Sequence, residues 1–221
     1  MTSTDGTDAR AERRPWIRAA LVLVALASLG ALAYFEATGN APPLPQHGAE
    51  TEAETQNWVA RIRREARDGD WIAIRGYHPA DHLVAGATLA PLSHAAILDI
   101  THDEVIEAVS PKVRVVSLTE FITHTHRFEV IRPAGATPEA GQSAVARARE
   151  KIGTPYDFLG TIGLPSEKRA YCSELCAWAW SVEVDRKGPH KVLHPAHMSS
   201  YGEVLFEAGP RKLAPQGPST P

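Results

Sequence analysis

The sequence predicts a domain of the α+β class, in which an antiparallel sheet or small barrel packs against helices. Three observations favour this class: an amphipathic helical pattern ahead of the strands, a succession of short apolar segments between residues 71 and 132, and helical composition after residue 138. Strands that follow one another along the chain usually become neighbours in one sheet. The helices before and after the series are then available to cover that sheet.

The first helix is predicted over residues 50–66. Trp58, Val59 and Ile62 recur at helical spacing on one face, and charged residues occupy the opposite face. Asp68-Gly69-Asp70 ends this helix, because aspartate and glycine favour turns. The turn leads directly into the first strand.

Five strands are predicted from runs of apolar and β-branched residues bounded by turn residues. They cover residues 71–74, 94–100, 104–108, 112–117 and 128–132. A loop rich in Gly and Pro, residues 77–92, separates the first strand from the second and is long enough to cover or shape a cleft. The remaining connections are short, as in an antiparallel meander.

Two further helices are predicted after the strands, over residues 138–152 and 172–182. Gly153-Thr154-Pro155 forms a turn after the first of them. The run Tyr171-Cys172-Ser173-Glu174-Leu175 places a cysteine in the first turn of the last helix. The N-terminal end of a helix stabilises a thiolate and lowers the pKa of a thiol, so this position suits a nucleophile.

Bulk composition excludes one class of partner. The chain has 221 residues and a formal net charge of -3, with an isoelectric point near 6.4. Such a chain has no basic field to follow a phosphate backbone, and it contains no glycine-rich phosphate loop. No nucleic-acid partner is expected.

The N-terminal part of the chain carries an export or membrane signal. Arg10, Arg13, Arg14 and Arg18 precede residues 19–35, an apolar stretch without any charge. The predicted organisation is a polar leader (1–15), a signal peptide or membrane anchor (16–36), a Pro-rich linker (37–50), one folded domain (51–213) and a flexible tail (214–221). The protein is therefore expected outside the cytoplasm, in the periplasm or its equivalent, either anchored to the membrane or secreted after cleavage.

The two cysteines are expected to be free thiols. Residues four apart on a helix hold their Cβ atoms roughly 5 to 6 Å apart, whereas a disulfide needs about 3.5 to 4.5 Å. Cys172 is predicted to be exposed at the helix start, and Cys176 to lie one turn deeper. Neither this pair nor the irregularly spaced His190, His194 and His197 predicts a metal site, and no cofactor is expected.

A nucleophilic cysteine needs a base, and the base needs a third polar group to orient it. His94 opens an apolar strand, where a side chain at the sheet rim reaches a cleft. Glu107, on the next strand, lies opposite His94 if the turn is centred near residues 100–101 and opposite Leu98 if it is centred near His102. The rivals for the third position are Asp99, Asp103 and Glu104, each also explained as a solvated residue at a hairpin end.

Five segments in order resemble the YiiX/YebB-like cysteine hydrolases, which are circularly permuted relatives of the NlpC-type papain-like amidases. The segments are Gly69-Asp70-Trp71-Ile72, Ser93-His94-Ala95-Ala96-Ile97, Val105-Ile106-Glu107-Ala108, Gly153-Thr154-Pro155-Tyr156-Asp157-Phe158 and Tyr171-Cys172-Ser173-Glu174-Leu175. The resemblance covers residues 55–205. It implies a permuted papain-like core for the predicted domain, and a histidine that precedes the cysteine is what permutation produces.

The resemblance also implies roles for individual residues. Cys172 matches the nucleophile, His94 the general base and Glu107 the third polar position, while Tyr171 matches a residue that shapes the oxyanion site together with the Cys172 backbone N–H. Cys176 departs from the family pattern, which has an aliphatic residue there. No cofactor is implied.

The implied reaction is cleavage of an amide bond, in a peptide or a cell-wall peptide, through a thioacyl-enzyme intermediate. Two alternatives stay open. One is a lipid-directed acyl hydrolase or acyltransferase of the lecithin retinol acyltransferase type, which would act on a lipid acyl substrate. The other is a binding module that has kept the fold without turnover.

Overall fold

The structure is a computed structural model that describes residues 22, 23, 26, 29, 30, 45, 47–78, 81, 82, 84, 85, 90–182 and 192–211. The chain divides into two compact units, residues 1–41 and 42–221. In the first unit the described residues are helical and exposed. The predicted leader and tail, and most of the predicted anchor and linker, lie outside the described residues. No helix within the described part of the chain is both long and apolar enough to cross a membrane.

In its described part the second unit contains six strands, four α-helices and two short 3-10 helices with described bounds, and residues 81, 82, 84 and 85 are helical as well. Along the chain the elements with described bounds are α1 (Ala49–Glu65), β1 (Trp71–Gly76), β2 (His94–Asp99), β3 (Glu104–Val109), β4 (Lys112–Ser117), α2 (Leu118–Thr123), β5 (Thr125–Pro133), α3 (Pro138–Glu150), a 3-10 helix (Gly160–Ile162), α4 (Cys172–Ala179), a second 3-10 helix (Pro195–Tyr201) and β6 (Gly202–Ala208).

The strands form one open sheet in the order β4-β3-β2-β1-β5-β6, and every neighbouring pair is antiparallel. The predicted α+β class is confirmed. Of the two predicted arrangements, the sheet is present and the small barrel is wrong, because β4 and β6 stay at opposite edges. Strand β6 and helix α2 were not predicted from the sequence.

Both faces of the sheet are covered, so the central strand is apolar throughout most of its length. All six residues of β1 are buried. Trp71 and Ala73 point to a core that includes residues of α3 and α4, whereas Ile72 and Ile74 point to a core that includes residues of α1 and α2. Successive side chains alternate between the faces of a strand, so the last helix lies against one face and the first against the other.

The turn between α1 and β1 is fixed by a buried carboxylate. Asp70 is 1 % exposed; its carboxylate accepts the backbone N–H of Arg67 at 2.8 Å and two N–H groups of Arg132 at 3.0 and 2.8 Å. Gly69 adopts a φ of 84°, which favours glycine. The Gly69-Asp70 pair therefore joins the start of β1 to β5 and has a structural role.

Candidate active site

Cys172 is the first residue of α4. The preceding Tyr171 is extended, and its backbone N–H is donated to the Glu174 carboxylate at 3.4 Å. This is the capping interaction expected of an acidic residue in a first turn. The predicted exposure of Cys172 is wrong: the residue is only 6 % exposed, because its thiol lies against the start of β2 rather than in solvent.

His94 and Glu107 meet across the two strands that follow β1. The Nε2 atom of His94 lies 2.7 Å from Oε2 of Glu107. Neither register considered from the sequence is correct, since Glu107 pairs with Ala96. His94 and Ala96 lie on the same face two residues apart, so the histidine and the glutamate form a diagonal pair, within reach of long side chains.

The thiol of Cys172 contacts the His94 ring. Because Nε2 of His94 faces Glu107, Nδ1 is the ring nitrogen that remains to form a hydrogen bond with the Cys172 sulfur. Burial alone would lower the pKa of His94, but hydrogen bonds to Cys172 and Glu107 outweigh it and raise that pKa well above its ordinary value. Burial would raise the pKa of Cys172, yet the His94 hydrogen bond and charge lower it. Both directions favour a thiolate–imidazolium pair.

Backbone groups add to the stabilisation of the sulfur anion. The pKa of Cys172 is lowered further by backbone hydrogen bonds from Ala95 and Ser173. These donors come from the strand that carries His94 and from the first turn of α4. The thiolate therefore lies at the point where the helix start meets the strand start.

Glu107 is itself held by a second partner, Arg114. The Nε of Arg114 donates to Oε1 of Glu107 at 2.8 Å, leaving Oε2 for His94. Burial would raise the pKa of Glu107, but His94 and then Arg114 hold it below its ordinary value. Sequence reasoning missed Arg114; the available signal was the alternation of β4, which places Arg114 directly opposite Glu107.

The three rivals for the third position serve other ion pairs. The Asp99 carboxylate accepts from Arg149 at 2.9 and 2.5 Å, and Glu104 pairs with the same Arg149. Asp103 binds Arg63 at 2.6 Å. Among Asp99, Asp103, Glu104 and Glu107, it is Glu107 whose carboxylate contacts the His94 ring.

Both neighbours of Cys172 are tied to Leu193. The hydroxyl of Tyr171 accepts the Leu193 backbone N–H at 3.2 Å, and the hydroxyl of Ser173 donates to the Leu193 carbonyl at 2.6 Å. Ser173 is fully buried and Tyr171 nearly so. The segment before the second 3-10 helix therefore fixes the backbone on either side of the thiol.

A cavity of about 440 Å³ opens beside these side chains. Cys172, His94 and Glu107 all line it, and many of its other walls are apolar or aromatic: Ile74, Val109, Val116, Phe121, Tyr156 and Phe158. The ring of Phe121 lies 6.1 Å from the His94 ring, centroid to centroid. The arrangement combines a reactive thiol, a base and an acceptor with room for a substrate, which is the requirement for nucleophilic acyl transfer.

The family model described as "Permuted papain-like amidase enzyme, YaeF/YiiX, C92 family" matches residues 75–206, more than half of the chain. The chain belongs to this C92 family of amidases. The predicted family is thereby confirmed. The matched range includes His94, Glu107 and Cys172.

A solved structure supports the fold of this C92 member. The chain is similar to the structure titled "metalloprotein yiiX" from Escherichia coli O157:H7, with 22 % identity and a TM-score of 0.52, over 66 % of this chain and 98 % of that chain. No curated protein matches the sequence. In the described part of this chain, no group of three or more His, Cys, Asp or Glu side chains is arranged to hold a metal ion.

Ser93 and Asp157, both within the range matched by the C92 family model, hold loops in place through hydrogen bonds. Ser93 donates to Oδ1 of Asp81 at 2.8 Å, and Oδ2 of Asp81 accepts the His78 backbone N–H at 3.1 Å, which fastens part of the predicted 77–92 loop beside the cavity. Asp157 is 1 % exposed and caps the loop that follows it. Sequence reasoning did not single out Asp81.

Cys176, one helical turn after Cys172, is also a free thiol. It is fully buried, and burial, followed by the charge of Cys172, raises its pKa well above the ordinary thiol value. Cys176 is buried as predicted, but Cys172 is buried as well, so the two thiols differ little in exposure. Their opposite pKa directions leave Cys172 as the more nucleophilic of the pair.

Proposed function

We propose that this C92 member is a cysteine hydrolase that cleaves an amide bond through a thioacyl-enzyme intermediate. The observation that carries the proposal is the buried chain of contacts from Cys172 to His94 to Glu107, on the wall of the cavity. Cys172 is the nucleophile, His94 the general acid and base, and Glu107 the residue that orients the His94 ring.

The reaction begins with attack of the Cys172 thiolate on the substrate carbonyl carbon, forming a C–S bond and an oxyanion. The C–N bond then breaks, and the leaving amine takes the proton of the His94 imidazolium. In the second half, His94 accepts a proton from water as the water attacks the thioester. The C–S bond breaks, a carboxylic acid leaves, and the thiolate–imidazolium pair is restored.

The oxyanion is stabilised in this proposal by the backbone N–H of Cys172 and by the site shape that Tyr171 provides. The first N–H groups of a helix have no acceptor within the helix, so the start of α4 offers donors to a developing negative charge. The Tyr171 hydroxyl is engaged at Leu193. Tyr171 is also not among the residues that line the cavity, so we assign it a positioning effect through its ring and backbone rather than donation from its hydroxyl.

The substrate we propose is a peptide, with a cell-wall peptide as the specific case for a protein outside the cytoplasm. Amidase membership supports an amide, and the apolar walls of the cavity support a substrate that places an apolar group beside the scissile bond. Incubation with defined muropeptides and with phospholipids, followed by mass spectrometry, separates this proposal from the lipid-directed alternative. Shortened peptides support it, whereas lysolipids or a protein that carries a fatty acyl group from the phospholipid support the alternative.

The catalytic assignment is tested by comparing Cys172→Ala with Cys176→Ala. The first variant is expected to lose at least about 10³-fold in kcat/KM, since removal of the nucleophile eliminates the covalent route. The second keeps most of the activity. Full activity in folded Cys172→Ala contradicts the assignment. A native Cys172 that is unreactive toward iodoacetamide below pH 7 favours the binding module.

Location outside the cytoplasm is also part of the proposal. It rests on the arginines that precede the uncharged residues 19–35 in the sequence. Cell fractionation combined with N-terminal sequencing of the mature protein distinguishes cleavage from anchoring. Recovery of the uncleaved chain in the cytosolic fraction contradicts the proposal.

A further inference from the structure

The segment between Pro155 and the start of α4 forms a closed loop, residues 157–170. Its ends are joined: the Asp157 N–H is donated to the Ala170 carbonyl at 3.1 Å, and the Ala170 N–H to the Pro155 carbonyl at 3.1 Å. The chain thus leaves the domain and returns at one point. Compact surface loops with adjoining ends are frequently functional.

The tip of the 157–170 loop exposes an unusual concentration of large apolar side chains. Phe158, Leu159, Ile162 and Leu164 are 60, 59, 70 and 63 % exposed. The other large apolar side chains exposed in the described part of residues 42–221 are separated from one another along the chain: Ile152, Trp178 and Val204. Single exposed apolar residues are common on soluble proteins, but a contiguous group marks an interaction surface.

The loop is held in this shape by its own hydrogen bonds. The Asp157 carboxylate accepts the Gly160 N–H at 2.9 Å and the Ser166 N–H at 2.8 Å, and the Leu164 N–H is donated to the Leu159 carbonyl at 3.0 Å. Gly163 has a φ of 87°, which favours glycine. Because Asp157 is buried, its hydrogen bonds are shielded from water, and they hold the loop in a shape that leaves the apolar tip outward.

Cationic side chains flank the apolar tip. Lys168 and Arg169 follow it and are exposed. Lys112, also exposed, lies at the base of the loop, since it forms a backbone bridge with Pro155. Glu167 is the exposed acidic residue of the loop, whose other carboxylate, Asp157, is buried. An apolar tip with a cationic border matches the boundary between acyl chains and anionic headgroups.

The surface adjoins the candidate active site. Phe158 and Thr161 line the cavity together with Cys172, and the Phe158 ring packs edge-on against Tyr156, with centroids 4.9 Å apart. Contact at the tip is therefore made next to residues that form the cavity wall.

We propose that the tip of the 157–170 loop inserts into the surface of an anionic lipid bilayer and presents the cavity mouth to it. The inference rests on the exposure, rigidity and charge of the loop, and it holds whether or not Cys172 is catalytic. It is also separate from any anchoring by residues 16–36.

The test measures the local environment of the loop in the full chain. Nitroxide labels are placed through Leu159→Cys or Ile162→Cys, with Glu203→Cys on edge strand β6 as the matched control, each in a Cys172→Ala, Cys176→Ala background. Vesicles contain phosphatidylcholine with or without about one-third phosphatidylglycerol, which supplies the anionic headgroups. Collisions with oxygen and with a water-soluble nickel complex report the depth of each label.

On anionic vesicles, the labels at 159 and 162 are expected to lose nickel collisions several-fold and gain oxygen collisions, while the label at 203 stays unchanged. The Lys168→Glu, Arg169→Glu pair reduces this response. Unchanged accessibility at 159 and 162 overturns the proposal. Labels that are already inaccessible without vesicles also overturn it, because a second copy or another segment of the chain then covers the tip.

A second measurement avoids the substitutions. Hydrogen exchange of the unmodified full chain, with and without the anionic vesicles, is expected to slow in peptides from residues 157–170 more than in peptides from β6. Equal exchange with and without vesicles contradicts the insertion, and it does so without bearing on hydrolysis.

Discussion

His94 and Glu107 occupy diagonal positions on β2 and β3, and their facing atoms, Nε2 and Oε2, are 2.7 Å apart. Arg114 on β4 holds the other oxygen of the same carboxylate. The ring is therefore oriented from the side opposite the thiol, so that the remaining nitrogen is directed at Cys172. Three consecutive strands thus contribute to the reactivity of one residue on a helix.

Replacement of Glu107 by glutamine, Glu107→Gln, tests this orientation. The amide retains an oxygen acceptor for the His94 N–H but lacks the charge that stabilises the imidazolium. We expect the pKa of Cys172 to rise and its alkylation at pH 6 to slow by about tenfold or more, since one pKa unit corresponds to a tenfold change in thiolate population. Rates of iodoacetamide labelling across pH provide the measurement. An unchanged labelling profile contradicts the orienting role.

The pH dependence of activity follows from the same pair. Because the pKa of Cys172 is lowered, the acid limb of kcat/KM is expected below the ordinary thiol value of about 8.5. Because the pKa of His94 is raised, the alkaline limb is expected above the ordinary imidazole value of about 6.5. The expected pH profile of kcat/KM is therefore a broad bell between these two limbs. His94→Ala is expected to move the onset of Cys172 alkylation to higher pH; a folded variant with the parent onset refutes the ion pair.

The sequence predicts the central features of the fold because they depend on local chemistry. Trp58, Val59 and Ile62 recur at helical spacing, and the residues of β4 alternate between apolar and polar. The start of α4 includes a residue that caps it. Each of these signals can be recognised from neighbouring residues alone. Strand β6 was missed because it is held by pairing with β5, which is distant from it along the chain. The short α2 has too few turns for a periodic signal.

In the candidate site too, the residues could be identified from the sequence, whereas their spatial arrangement could not. His94, Glu107 and Cys172 were identified from the sequence, but the register that joins the first two was not, because a turn can shift by one residue without changing composition. The burial of Cys172 could not be predicted either. It depends on the contact between α4 and the start of β2, which no local pattern encodes.

A close backbone contact makes Gly141 sensitive to substitution. A Cβ atom at this position would lie 2.0 Å from the carbonyl oxygen of Asp68, so α3 would have to move away from the turn before β1. Gly141→Ala is expected to lower the free energy of unfolding by about 1 to 3 kcal/mol, although alanine ordinarily favours a helix. Gly209→Ala, with no neighbour within 4 Å, is the control in urea unfolding. Equal stability of the two variants contradicts the contact.

The two thiols are expected to differ in chemistry, although both are buried. Burial raises the pKa of Cys176, so native protein treated with iodoacetamide at pH 7 is expected to carry one label, at Cys172, and the unfolded chain two. Peptide mass spectrometry gives the site. Cys176→Ser is expected to cost about 1 to 3 kcal/mol in stability, because it places a hydroxyl in an apolar core, whereas its labelling at Cys172 is unchanged. Native labelling of Cys176 at a comparable rate refutes the distinction.

His126 is expected to contribute to acid sensitivity, independently of the catalytic proposal. Burial, followed by the charges of Arg127, Arg75 and Arg211, lowers the pKa of His126 to about 4, against about 6.5 in an unfolded chain. Between these values the unfolded chain binds a proton that the folded protein does not. Stability therefore falls as the pH decreases from about 6.5 toward about 4.

The His126→Gln variant removes this proton linkage while retaining a polar side chain near the Tyr77 hydroxyl, which lies 3.4 Å from Nδ1 of His126. Urea unfolding at intervals between about pH 4 and 7 is the measurement. The variant is expected to lose less stability on acidification than the parent chain, so that the difference in unfolding free energy between the two proteins changes across this window. A difference that stays constant with pH shows that His126 binds protons equally in the folded and unfolded states, and rejects the linkage.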